Sequence, residues 1–122
     1  MAVPGRELFK KYKPLLDFLV KIVRKLPKKI RKCLFKHYRS KKGVLGIGIR
    51  YILVKSLAKK CGENVSIHSN CYIYSPEKLE LGNNVSIHPM CYIDAEGGVT
   101  IGNDVSMAHS VTILSTSHNY SE

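Results

Sequence analysis

The pattern of hydrophobic and polar positions changes in character near residue 60. In residues 61–120 an aliphatic or cysteine side chain recurs every six residues, and the whole pattern returns after 20. The three copies are CGENVSIHSNCYIYSPEKLE (61–80), LGNNVSIHPMCYIDAEGGVT (81–100) and IGNDVSMAHSVTILSTSHNY (101–120). Self-similarity at a fixed period of this length is typical of repeat architectures, so the three segments are called repeats 1, 2 and 3.

The six-residue spacing predicts the geometry of the repeats. It fits neither the 3.6-residue period of a helix nor the two-residue alternation of a long strand. It fits a coil with three six-residue sides and two extra residues at a corner, each strand pairing in parallel with its counterpart 20 residues on. The aliphatic positions would then form three columns, which are Cys61/Leu81/Ile101, Ile67/Ile87/Met107 and Ile73/Ile93/Ile113.

Glycine and asparagine recur where such a coil must turn. Gly62, Gly82 and Gly102 follow the first aliphatic position of each repeat, and four asparagines cluster beside them. Both residue types tolerate tight corners. The sequence therefore predicts a mainly β fold, with about three coils in residues 61–122 and a separate basic helical region in residues 1–60.

The first 60 residues show helical periodicity in three segments, 14–26, 28–38 and 44–60. Pro14 suits a first helical turn, and Pro27 ends the first segment. The predicted inward positions are Leu15, Leu16, Leu19, Ile22, Val23 and Leu26 in the first segment, Ile30, Cys33, Leu34 and Tyr38 in the second, and Ile47, Tyr51, Val54, Leu57, Ala58 and Cys61 in the third.

Charge divides the chain at the same point. Residues 1–60 contain 19 lysines and arginines against two acids, whereas residues 61–122 contain one lysine against seven acids. This asymmetry, without interleaved aromatic residues, argues against a nucleic-acid partner. Two interpretations of the basic helices stay open: they pack on the neighbouring domain or another subunit, or they make a peripheral contact with an anionic membrane surface.

The sequence lacks the features of an exported or membrane-spanning chain. Its N-terminal apolar run is interrupted by Asp17 and Lys21, which does not fit a secretory signal. The most apolar stretch, 43–58, contains Arg50 and Lys55, whereas a spanning helix needs roughly 20 largely uncharged residues. We expect a cytoplasmic protein, with the inner face of the membrane as the alternative location.

Cysteine and histidine spacing predicts no metal site. The four cysteines do not form a C-x-x-C pair, and three of them occupy aliphatic repeat positions, so we expect reduced, packed thiols. His68, His88 and His109 do not have the spacing of the zinc ligands in carbonic anhydrases built from similar repeats. His68 and His88 are instead expected to stack as an outward ladder.

The segments LGNNVSIHPMCYI (81–93) and IGNDVSMAHSVTI (101–113) resemble the hexapeptide-repeat acyltransferases. Within that family, VSMAHSVTILSTSHNYSE (105–122) is similar to the sugar O-acetyltransferase branch, which includes maltose, galactoside and colanic-acid acetyltransferases. The segment RYILVKSLAKKCGENVSI (50–67) resembles the first helix and coil of polysaccharide-associated members. The resemblance covers about residues 45–120 and implies a left-handed parallel β-helix.

The resemblance also implies an activity and a site. It implies acetyl transfer from acetyl-CoA to a sugar hydroxyl, without a metal, in a homotrimer whose active sites lie between subunits. His118 matches the histidine that acts as general base in the family. Asp94 matches a region that orients the acceptor, and His88 stands where relatives often carry an acceptor-binding asparagine.

Members of the family continue for several coils beyond this histidine, and those coils form much of the CoA groove. The sequence ends at Glu122, four residues after His118. We therefore expect a truncated chain that is inactive alone. The alternative is a catalytically inactive remnant, or a membrane-surface or assembly module, in which the repeats are only structural.

Overall fold

Three helices precede the repeats in the computed structural model, which describes residues 5–115. They are α1 (Gly5–Val23), α2 (Lys28–His37) and α3 (Gly43–Leu57). Each corresponds to one of the predicted helical segments. However, α1 begins nine residues before Pro14, which lies inside the helix. Since proline has no N–H, the carbonyl of Lys10 lacks the usual helical donor at that point.

Nine short strands follow within residues 60–114, three for each 20-residue period, and β1, β4 and β7 each cross the start of a repeat. They are β1 (Lys60–Cys61), β2 (Ser66–Ile67), β3 (Tyr72–Tyr74), β4 (Leu79–Leu81), β5 (Ser86–Ile87), β6 (Tyr92–Asp94), β7 (Val99–Ile101), β8 (Ser106–Met107) and β9 (Thr112–Leu114). A 3₁₀ helix, Pro76–Lys78, precedes β4. The strands form three parallel sheets, ordered β1-β4-β7 (first sheet), β2-β5-β8 (second sheet) and β3-β6-β9 (third sheet).

The pairing register follows the 20-residue period in every sheet. Cys61 pairs with Leu81 and Leu81 with Ile101, and the Ile67 and Ile73 columns align in the same way. The three predicted columns are therefore confirmed. Most of their members are buried, and together with Val65, Val85, Cys71 and Cys91 they belong to one hydrophobic core.

The predicted fold class is wrong. The structure is 41% helix and 21% strand, so it is not mainly β; its strands form three parallel sheets, and a left-handed parallel β-helix is not shown. The physical reason is the shortness of the strands. Each has only two or three residues, so turns and extended segments occupy most of every repeat, while three helices supply long continuous runs.

The turns between strands recur at equivalent repeat positions with left-handed backbone conformations. Asn64, Asn84 and Asp104 have φ of 56°, 58° and 59°. Asn70, Met90 and Ser110, six residues later in each repeat, have φ of 63°, 65° and 62°. Asparagine and aspartate accept this conformation more readily than other non-glycine residues, which explains the first set. Met90 has no such intrinsic preference.

Polar side chains form ladders along the first set of turns. Asn64 Nδ2 donates to Asn84 Oδ1 at 2.9 Å, and Asn84 Nδ2 donates to Asp104 Oδ1 at 3.1 Å. Beside them, the Asn83 Oδ1 accepts from the Glu63 N–H, and the Asn103 Oδ1 accepts from the Asn83 N–H. These bonds connect successive repeats outside the strand ladders.

Helix α3 packs against the repeats and is buried on most sides. Tyr51, Ile52, Leu53, Val54 and Leu57 all join the hydrophobic core or are buried beside it. α1 and α2 in turn pack on α3 through Val20 and Phe35, their most buried residues. α3 therefore connects the other two helices with the sheets.

Arg50 of α3 is buried at 1% exposure and hydrogen-bonds to main-chain carbonyls. Its Nε donates to Ile67 O at 2.7 Å, and its Nη1 donates to Tyr38 O at 3.0 Å and Lys41 O at 2.6 Å. In the sequence, Arg50 was a polar interruption of an apolar stretch. In the structure it joins the α2–α3 connection to β2.

The predicted inward faces of the helices are partly wrong. In α1, Leu16, Leu19 and Val23 contact the core, but Leu15 and Ile22 are exposed. In α2, Ile30 and Cys33 are exposed, because the buried side of that helix is centred on Phe35. α3 ends at Leu57, so Cys61 belongs to β1 rather than to the helix.

Candidate functional site

The outward face of the third sheet gathers aromatic and charged side chains. Along β3 and β6, Ile73 and Ile93 point into the core, and by the two-residue alternation of strands their neighbours point outward. The outward residues are Tyr72, Tyr74, Tyr92 and Asp94, and together they define the third-sheet face.

The three tyrosines of the third-sheet face lie against one another. The Tyr74 and Tyr92 rings have centroids 5.1 Å apart, and Tyr72 stacks on Tyr92 at 6.4 Å. Desolvation, followed by the proximity of Tyr74 and Asp94, raises the pKa of Tyr92 above its ordinary value. The Tyr92 phenol therefore remains neutral at physiological pH. The cluster offers both ring surface and hydroxyl groups.

Arg39, in the α2–α3 connection, adds a cation at one end of this face. Its guanidinium carbon lies 3.9 Å from the centroid of the Tyr72 ring, and its Nε donates to Cys71 O at 3.0 Å. The main-chain oxygen of Arg39 also accepts a hydrogen bond from the Asn70 N–H. Stacking and hydrogen bonding together hold Arg39 in one orientation.

Asp94 ends β6 and is held by a compact turn. Its Oδ1 accepts a hydrogen bond from the Glu96 N–H at 3.0 Å, and its main-chain oxygen accepts from both the N–H and Oγ of Ser115. The Gly97 N–H donates to Ser115 Oγ at 2.9 Å. Asp94 Oδ2 makes no hydrogen bond within residues 5–115, so it can accept one from a bound hydroxyl group.

His88 lies on a different surface, directly after β5 of the second sheet. Its ring stacks on that of His68 with centroids 5.2 Å apart, and its Nε2 lies 3.2 Å from Ser106 Oγ. The predicted outward histidine ladder is confirmed. Burial, followed by the neighbouring His88 and Arg50, lowers the pKa of His68. Because His88 and Asp94 belong to different sheets, the structure does not bring them into one site.

His118 lies outside the described residues. The last described residue, Ser115, directly follows β9 and precedes His118 by three positions. β9 pairs with β6, and Leu114 is in register with Asp94. The strand that leads toward His118 is therefore the neighbour of the strand that carries Asp94.

The described residues contain no group of three histidine, cysteine or acidic side chains that could hold a metal ion. All four cysteines are free. Burial raises the pKa of Cys61 to about 11 and also raises the pKa of Cys71. These two thiols are protonated at neutral pH and are poor nucleophiles.

No helix within residues 5–115 combines the length and apolar character that crossing a bilayer requires.

The sequence interpretation missed the tyrosines of the third-sheet face and also missed Arg39, which stacks on Tyr72 at one end of that face. The alternating pattern Tyr72-Ile73-Tyr74 and Tyr92-Ile93-Asp94 was an available signal for the tyrosines. Nothing in the local sequence indicated that Arg39 would stack on Tyr72, because 33 positions separate them.

Comparison of the chain with protein-family models, with characterised proteins and with solved structures found no match.

Proposed function

We propose that this chain, alone or as part of a longer protein, is an acetyl-CoA-dependent O-acetyltransferase acting on a sugar hydroxyl in cell-surface polysaccharide biosynthesis. The observation that carries the proposal is the position of Asp94. Its carboxylate has a free oxygen and lies beside Tyr74 and Tyr92, on the strand adjacent to the one that leads toward His118.

The third-sheet face has the chemistry to receive a sugar. Asp94 Oδ2 can accept a hydrogen bond from an acceptor hydroxyl, while the tyrosine rings provide apolar surface for the carbon skeleton. The turn that clamps Asp94 to Ser115 fixes the carboxylate before a ligand arrives. The proposal gives His88 no role, because its ring already contacts His68 and Ser106.

The proposed reaction assigns His118 the part of general base. Its neutral imidazole removes the proton of the acceptor hydroxyl as that oxygen attacks the thioester carbonyl carbon. A C–O bond forms, the C–S bond breaks, and the imidazolium returns the proton to the CoA thiolate. Histidine suits both steps because its ordinary pKa is close to neutral.

The test uses the complete product of the gene, incubated with radiolabelled acetyl-CoA and a panel of sugars and polysaccharide precursors. His118→Ala should lower kcat by about 10²–10⁴-fold, the usual contribution of a general base. Asp94→Asn should mainly raise KM for the sugar. His109→Ala is the matched control, because His109 is exposed and belongs to the same repeat.

Three outcomes would contradict the proposal. Unchanged turnover in His118→Ala would exclude this residue as the base. Equal losses in His118→Ala and His109→Ala would point to a general structural effect. Absence of both acetyl-CoA binding and transfer in the complete protein would favour the alternative, in which the repeats are only structural.

The proposal includes a cytoplasmic location and a homotrimeric assembly, which rest on the family resemblance. Sedimentation equilibrium of the complete protein tests the assembly directly, since it measures the mass of the species in solution. A monomer that transfers acetyl groups would retain the proposed chemistry and exclude a site shared between subunits.

A further inference from the structure

Helix α1 carries two apolar stripes, of which only one is used in packing. The inner stripe consists of Phe9, Leu16, Leu19, Val20 and Val23, which belong to the core or pack against it. The outer stripe consists of Tyr12, Leu15, Phe18 and Ile22, with exposed fractions of 43%, 52%, 58% and 44%. The outer stripe defines the outer face of α1.

The apolar arc of α1 is wider than packing on the core requires. At 100° per residue, the arc from Phe18 through Tyr12 to Val20 spans about 200° of the helix circumference. A surface helix that packs on a core typically needs an apolar stripe of about 100°. Within residues 5–115, packing on the core does not account for the other half of the arc, which carries the outer stripe.

The exposed apolar surface continues beyond the end of α1. Leu26, in the α1–α2 turn, is 37% exposed, and Ile30, in the first turn of α2, is 47% exposed. In the turn between α1 and α2, the Lys25 N–H donates to Ile22 O and the Leu26 N–H donates to Val23 O. Exposed apolar side chains therefore follow one another from Tyr12 to Ile30.

Lysines without acidic partners accompany the outer face. Lys11 lies among its apolar residues by helical position, Lys21 lies at its border, and Lys25 follows in the turn. All three are exposed, and within residues 5–115 none forms an ion pair.

The acids of α1 do not neutralise this charge. Asp17 lies on the opposite side, where Lys13 bridges it to Glu63 of repeat 1 at 3.3 and 3.2 Å. Glu7, in the first turn, is the other acid of the helix; by helical position it lies beside the outer face, where Lys11, Lys21 and Lys25 outnumber it. The outer face thus combines a wide apolar surface with an excess of positive charge.

We propose that the outer face of α1 docks on an anionic lipid surface. An amphipathic helix with lysines around a broad apolar face lies in the headgroup region, where the apolar side chains insert and the ammonium groups meet lipid phosphates. Docking of a second copy through the same face would place the like-charged lysines of both copies together, which opposes association. The proposal is independent of the acetyltransferase activity.

The absence of tryptophan from the chain permits a specific probe. Phe18→Trp places a single indole at the most exposed residue of the outer face, and Leu114→Trp places one on an exposed residue of β9 as the matched control. Vesicles of phosphatidylcholine alone are compared with vesicles containing about one-third phosphatidylglycerol. We expect the indole emission of the Phe18→Trp variant to shift to the blue with the anionic vesicles only. The emission of the Leu114→Trp variant should not shift with either kind of vesicle.

Vesicle co-sedimentation of the full chain then separates the apolar and charged contributions. Leu15→Ser/Phe18→Ser should abolish binding, whereas Met90→Ser/Leu114→Ser, with comparably exposed residues, should not change it. Lys11, Lys21 and Lys25 changed together to Gln should weaken partitioning on the order of 100-fold. Lys59, Lys60 and Lys78 changed to Gln remove the same charge from the repeat side and should leave most of the binding.

The proposal has clear contrary outcomes. Equal losses from the two lysine triples would mean that net charge alone attracts the vesicles. Wild-type binding by Leu15→Ser/Phe18→Ser would exclude insertion of the outer face. If no vesicle binds and light scattering shows a dimer that Leu15→Ser/Phe18→Ser dissociates, the occupant is a second copy and the lipid proposal is wrong.

Discussion

Arg50 donates a hydrogen bond from Nε to the carbonyl oxygen of Ile67 at 2.7 Å, and this bond joins α3 to the second sheet. The other end of the guanidinium holds the carbonyls of Tyr38 and Lys41. One side chain therefore fixes the α2–α3 connection, α3 and β2 relative to one another. Within residues 5–115 no carboxylate hydrogen-bonds to Arg50. The hydrogen bonds to these carbonyl oxygens therefore offset the free-energy cost of desolvating its charge.

Substitution of Arg50 by lysine should be severely destabilising although it preserves the charge. A lysine has one ammonium group and cannot reach Ile67 and Lys41 at once, as the planar guanidinium does. We expect the free energy of unfolding to fall by about 3 kcal/mol, measured by urea denaturation. Arg24→Lys, at an exposed arginine, should change it by less than about 0.5 kcal/mol. Equal effects of the two substitutions would contradict the role assigned to Arg50.

Two glycines of α3 should respond in opposite directions to alanine. A Cβ on Gly46 would collide with the main-chain oxygen of Lys41 and come within 3.1 Å of Arg50 Nη1. Gly46→Ala should therefore destabilise by about 1–3 kcal/mol. Gly48 has nothing within 4 Å of such a Cβ, so Gly48→Ala should stabilise the helix by up to about 1 kcal/mol. Thermal unfolding of both variants checks this, and a stabilised Gly46→Ala would show that the Lys41 contact is not maintained.

His68 should make stability depend on pH below neutrality. Its pKa is lowered in the folded protein, so the unfolded chain binds the proton more readily. The contribution of His68 to the free energy of unfolding is then fully present above the unfolded pKa of about 6.5. It is lost as the pH falls through the pKa that His68 has in the folded protein. His68→Gln should reduce this decline, whereas His109→Gln should not, in denaturant titrations at a series of pH values. A steeper decline in His68→Gln would reverse the sign assigned here.

Two substitutions at Asn84, in a left-handed turn, should separate the energetic cost of backbone strain from the cost of losing side-chain hydrogen bonds. Asn84→Gly loses the bonds to Asn64 and Asp104 but accepts a φ of 58°, whereas Asn84→Ala loses the same bonds and also strains the backbone. Alanine should cost about 1 kcal/mol more than glycine. Urea denaturation of both variants measures the difference, and equal losses would mean that the ladder alone matters.

The four cysteines should differ sharply in reactivity. Cys33 is exposed, while Cys71 and Cys91 are buried and Cys61 has a pKa raised to about 11. A chromogenic disulfide reagent should modify one thiol rapidly in the native protein and all four after denaturation. Cys33→Ser should eliminate the rapid phase. A rapid phase that survives this substitution would show that a core thiol is accessible.

The strand register was predictable because the repeat carries it directly. Equivalent positions such as Ile67 and Ile87 have the same residue and the same neighbours, so their pairing follows from the period alone. The predominance of helix was not visible in this pattern. A hexad shows where an inward residue falls, but it does not show that each strand has only two or three paired residues.

The packing face of α1 and the third-sheet face were harder to predict for physical reasons. When the apolar arc covers more than half of the helix, periodicity cannot tell whether Leu15 or Val20 turns toward the core.

Arg50 looked like an interruption of an apolar stretch because sequence alone does not show which carbonyls a buried guanidinium will meet. Asp94 was selected from the family resemblance, whereas its clamp through Ser115 depends on strand pairing across 21 positions.

The 20-residue offset between paired strands restricts the changes of length that such a chain can accept in evolution. An in-frame duplication of the coding sequence for one repeat would insert three new strands whose neighbours already have the correct register. The helices at the other end would keep their contacts with repeat 1. Insertion of a single codon within a repeat would instead displace every later pairing by one residue and turn core side chains outward. Length variation in natural homologues should therefore come in whole modules.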